Sequence, residues 1–75
     1  MDSACEEFES HVKRLNAMLR ELENQLQSVK NNLVSDSDNA DLKSDQRQLI
    51  LDIRITANEL EDAKSKLEHC IRATA

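Results

Sequence analysis

Between Phe8 and Leu33 the apolar residues Phe8, Val12, Leu15, Leu19, Leu22, Leu26, Val29 and Leu33 recur at intervals of 4, 3, 4, 3, 4, 3 and 4. An alternation of threes and fours held this long draws one narrow apolar seam along an α-helix, the pattern of a coiled-coil heptad. The phase runs back through Cys5 to Met1. A seam is half of an interface. A helix striped in this way needs a facing helix to cover it, and that need governs how the rest of the chain is read.

The composition leaves few ways to supply the partner. The chain has 75 residues, no Gly, no Pro and a single aromatic, Phe8. Without the residues that usually punctuate strands and turns, long helices are the economical solution, and the length allows one small domain. A first helix is expected over about 3–34. It would open with the capping box Ser3-Ala4-Cys5-Glu6, and Glu6 and Glu7 suit the positive end of the helix dipole. Cys5, Val12, Leu19, Leu26 and Leu33 fall at heptad position a, and Met1, Phe8, Leu15, Leu22 and Val29 at d. The run Ser35-Asp36-Ser37-Asp38-Asn39 then breaks the pattern, because these side chains compete for backbone hydrogen bonds and favour turns and caps. A loop over about 35–38, with Asp38 or Ser37 as the next N-cap, leads into a second helix over about 39–73.

In the second helix Leu42, Leu49, Thr56, Ala63 and Cys70 take d, and Gln46, Ile53, Leu60, Leu67 and Thr74 take a. Folding it back on the first should bring a layers onto d layers. The layers are then Leu33 with Leu42, Val29 with Gln46, Leu26 with Leu49, Leu22 with Ile53 and Leu19 with Thr56. They continue as Leu15 with Leu60, Val12 with Ala63, Phe8 with Leu67 and Cys5 with Cys70. The residue numbers in every pair add to 75, so one register serves the whole length and its centre falls in the predicted loop. The expected fold is all-α, an antiparallel two-helix coiled-coil hairpin.

The second helix is broader than one seam requires. Ile50, Ala57 and Ile71 occupy e, so that Ile50, Ile53, Ala57, Leu60, Leu67 and Ile71 make a second stripe broken only by Lys64. Opposite those e positions the first helix offers Asp2, Glu9, Asn16, Glu23 and Lys30, which cover little. A stripe this wide normally meets more than one neighbour. Two hairpins are therefore expected to pair, mainly through the second helix, as a four-helix bundle. The competing reading gives the stripe to a different helical protein. Leu51 and Ile55, one turn apart on the back of the same helix, offer a further docking patch.

Little here points to chemistry. Cys5 and Cys70 share the last layer, and two readings stand. The acidic N-terminus shows no signal peptide and no apolar span is long enough for a membrane, so the expected compartment is cytoplasmic and favours two thiols. The alternative is a disulfide closing the open end. His11 at g and His69 at c lack the spacing of a zinc site, so neither a metal nor a cofactor is expected. Glu6/Glu7 and Glu61/Asp62 read as solvated charge, with no nucleophile–base pair and no Gly-rich loop. An enzyme is not expected. Lys13, Arg14 and Arg20 form a small basic patch, but the net charge of −5 opposes binding to phosphate backbones.

The function expected from sequence is thus a non-catalytic protein–protein interaction module, a small adaptor or co-chaperone that self-associates or shields a helical partner. Its interface would comprise Ile50, Leu51, Ile53, Ile55, Ala57, Leu60 and Ile71. The alternative is a metal- or redox-responsive regulator acting through Cys5, Cys70 and the histidines. A nucleic-acid-binding hairpin ranks below both.

Overall fold

The computed structural model describes the backbone of residues 3–74 and the side-chain surroundings of residues 5–74. It contains two helices, α1 (Ser3–Ser35) and α2 (Ala40–Thr74), joined by a four-residue turn over 36–39 and packed against each other along their length. The molecule measures 55 × 16 × 13 Å, the dimensions of two helices side by side with no third layer. The roles expected for Met1 in the seam and for the side chain of Ser3 as a cap lie outside the described residues.

Burial follows the heptad. On α1 every described a and d residue is buried or half-buried, and every other described residue is exposed. The same holds on α2 with three departures: Asp52 and Ala57 are half-buried beside the seam, and Thr74 is exposed at the helix end. The register is the expected one. Leu15, Leu60 and Ala63 form the buried cluster, with Val12 and Leu19 packed against it. These are the neighbours that pairing Leu15 with Leu60 and Val12 with Ala63 requires. Burying a Leu side chain is worth about 1.5–3 kcal/mol, so Leu15 and Leu60 at 3% and 5% exposure anchor the hairpin. Among the described residues Thr56 is the one buried polar residue, and no buried side-chain nitrogen or oxygen lacks a hydrogen-bond partner.

The turn differs from expectation by one residue. The N-cap of α2 is Asn39 and not Asp38: Leu42 N donates to Asn39 Oδ1 at 3.0 Å, which satisfies one of the free amides of the first turn. Asn39 also reaches backwards, its Nδ2 donating to Asp36 Oδ2 at 2.9 Å and its backbone N to Asp36 O at 3.2 Å. Asp36 N in turn donates to Asn32 O at 3.0 Å, closing the end of α1. An amide side chain can accept from the helix and donate to the loop at once. A carboxylate at position 38 can only accept, and this two-way demand selects Asn39.

The far end of the hairpin is closed covalently. Cys5 and Cys70 are joined in a disulfide with their Cα atoms 5.7 Å apart. Compartment arguments favoured two thiols at this layer; the structure has the bridge instead. The physical reason is the layer itself. An a residue facing a d residue, both small, lets the backbones approach inside the limit of about 7 Å that a bridge needs.

Candidate functional site

A hairpin only two helices thick buries one edge of each helix and leaves the flanks of the seam to solvent. The e flank of α2 carries the stripe expected to dock a partner, and the structure divides it in two. Leu60 is buried in the hairpin and Ile53 and Ala57 are half-buried, so these are largely spent on α1. Ile50 at 39% and Ile71 at 50% exposure stand clear of it. Across the seam Glu9, Asn16, Glu23 and Lys30 of α1 are all exposed and leave the apolar edge uncovered.

Near the C-terminal end this flank is concave. Lys64, Leu67, Glu68 and Ile71, with Arg72 outside them, surround a shallow, chiefly apolar depression. Those first four residues follow the i, i+3, i+4, i+7 spacing that makes a hole for a side chain of a facing helix. Sequence reasoning identified the stripe but not this depression, because a hole is a property of four neighbouring residues and a stripe plot records only the apolar ones.

The other flank holds a groove that the sequence reading missed. Met18, at position g of α1 and 53% exposed, faces the helix junction beside Leu22, and Ile55 and Thr56 of α2 meet them from the opposite wall. Asp52 and Glu59 line the same groove. Ile55 therefore belongs with Met18 across the seam as much as with Leu51, its neighbour on the helix back; Leu51 and Ile55 are each about half exposed. A lone Met at a g position was the available signal.

The remaining candidates do not converge. His11 and His69 are both exposed, and among the described residues no group of three metal-binding side chains comes together. Cys5 and Cys70 are bonded to each other, so neither offers a thiolate while the bridge stands. Lys13, Arg14 and Arg20 are exposed on α1. The acids of the α2 surface are partly engaged by bases along the same helix: Lys64 with Glu61 at 3.9 Å, Lys66 with Asp62 at 3.0 Å and Arg72 with Glu68 at 2.5 Å. All three are exposed pairs, worth about 0.3–0.5 kcal/mol each. No helix is long and apolar enough to cross a membrane among the described residues. Compared with protein-family models, with curated proteins and with solved structures, the chain matches none.

Proposed function

We propose that this chain is a non-catalytic interaction module: a helical hairpin that self-associates into a four-helix bundle through α2 and, as an adaptor or co-chaperone, shields a helical partner. The observation that carries the reading is the exposed pair Ile50 and Ile71 on the e flank, aligned with a packed seam and faced by polar residues of α1. Exposed apolar residues scattered singly mean little. Here they lie along one edge of a molecule whose interior is a single seam, and a second hairpin laid on that edge would supply the missing layer. The Met18–Leu22–Ile55 groove on the other flank is the surface assigned to the helical partner.

The test is sedimentation equilibrium of the purified chain over a micromolar range, beside Ile50→Glu and Ile71→Glu variants. The parent should sediment as a dimer and the variants as monomers with unchanged helix content by circular dichroism. A monomeric parent throughout the range refutes self-association.

The Cys5–Cys70 bridge favours a second reading, a redox-responsive regulator. Disulfides persist in oxidising compartments and are reduced in the cytosol. In a chain that works in the cytoplasm, the bridge is the bond that changes with redox poise. A Cys5→Ser/Cys70→Ser variant that dimerises and binds partner like the parent would remove this reading.

A further inference from the structure

Self-association through α2 leaves open how the two hairpins are arranged, and the same edge of the helix carries an answer. We propose that the second copy packs antiparallel, α2 against α2, about a two-fold axis level with Asn58 and Glu59, each Ile50 seating in the partner's depression between Leu67 and Ile71. This rests on the self-association reading above and adds the register to it.

Three observations converge on that register. The first is shape. Ile50 is an exposed apolar knob, and the open hole formed by Lys64, Leu67, Glu68 and Ile71 is lined chiefly by apolar surface. Knob and hole sit on one helix, some 18 positions apart from Ile50 to Glu68, or about 27 Å along the axis. A hairpin cannot fill its own hole. An antiparallel pair fills both at once, and near the axis the small side chain of Ala57 lets the helices approach.

The second is Lys64, the only charge in the stripe. A parallel, in-register pair would set Lys64 against the partner's Lys64. The antiparallel pair sets it against the partner's Ile53, where its aliphatic stem packs and its ammonium reaches solvent.

The third is charge order. Beside the stripe, the b positions of α2 read Arg47, Arg54, Glu61 and Glu68, two cations followed by two anions. Seating Ile50 in the hole brings Arg47 beside the partner's Glu68 and Arg54 beside the partner's Glu61, each pair occurring twice by symmetry. A slip of one heptad places Glu61 against the partner's Glu61 in one direction, or Arg54 against the partner's Arg54 in the other. Only one register pairs all four. Arg47 and Arg54 have no carboxylate within ion-pair distance among the described residues, whereas Glu61 and Glu68 hold only weak exposed partners on their own helix.

Cross-linking decides the matter. Chains carrying Ile50→Cys and chains carrying Glu68→Cys, both at exposed sites, are mixed with the native bridge intact and oxidised, and the new bond is located by peptide mapping. The expected product joins position 50 of one chain to position 68 of the other, and Ile50→Cys alone gives no covalent dimer. Efficient self-cross-linking of Ile50→Cys would overturn the antiparallel register while leaving the dimer standing. A parent that sediments as a monomer would overturn the underlying reading and this inference with it. In a second arm, Arg54→Glu should raise the dimer dissociation constant about tenfold, and Arg54→Glu/Glu61→Arg should restore it. Failure of the exchanged pair to recover would also overturn the register.

Discussion

Removing the Cys5–Cys70 bridge should cost this hairpin about half of its stability. The bridge spans a sequence separation of 65, and closing a loop of that length lowers the entropy of the unfolded chain by an amount worth about 4 kcal/mol on the chain-entropy model. Against that stands a thin core. Among the described residues the buried apolar ones are Cys5, Leu15, Leu60 and Ala63, and two of these are too small to contribute much. A domain of this size draws roughly 3–5 kcal/mol from its core, so the bridge is comparable to everything else together. Urea unfolding followed by far-ultraviolet circular dichroism, at one fixed protein concentration, compares the oxidised parent with Cys5→Ser/Cys70→Ser. Holding concentration fixed keeps the contribution of association comparable. With a urea slope of about 1 kcal/mol/M for a chain this small, the midpoint should fall by about 3–4 M. Midpoints agreeing within about 0.5 M, with the parent's bridge confirmed by mass spectrometry, would refute the reasoning. The unfolded chain would then already be as constrained without the bond as with it.

Two further substitutions probe the seam and the turn. Leu60→Ala, at the centre of the buried cluster, should destabilise by about 2–4 kcal/mol, whereas Leu51→Ala on the exposed back should change stability by less than about 0.5 kcal/mol; equilibrium unfolding reads both. Asn39→Ala removes the cap of α2 and its bond to Asp36 and should cost about 1 kcal/mol, while Asp38→Ala should cost a few tenths at most, by the same measurement.

The seam and its register were legible because a single physical requirement, covering a 3–4 apolar stripe, fixes both helices at once. Pairing Leu15 with Leu60 forces Val12 onto Ala63 and Leu19 onto Thr56, and in the structure Leu15, Leu60 and Ala63 are buried together with Val12 and Leu19 packed against them. The absence of Gly and Pro removed the competing elements. The cap was harder to place, since Ser37, Asp38 and Asn39 can all accept from a helix N-terminus. In the structure it is Asn39 whose side chain both accepts from Leu42 N and donates to Asp36. The state of Cys5 and Cys70 was not legible from spacing, because it depends on how closely two backbones approach in one layer. Compartment and the usual spacing of packed helix axes, about 8–10 Å, both pointed to thiols. On the candidate surface, Ile50 and Ile71 were identified from their wheel position. The groove of Met18 with Ile55 was not, since it joins a g residue of one helix to a c residue of the other and neither belongs to a stripe.

With a tight turn at one end and a covalent bond at the other, the chain from Cys5 to Cys70 is a closed ring flattened into a rod. Tension applied to the chain outside the bond is carried across the two sulfur atoms, and the helices between them bear almost none of it. An unbridged hairpin pulled in the same way would unzip layer by layer from its open end, each step working against a single pair of side chains. The bonded rod instead transmits load as a short, stiff link. Reduction would turn that link into an extensible tether, able to pay out the backbone stored in both helices.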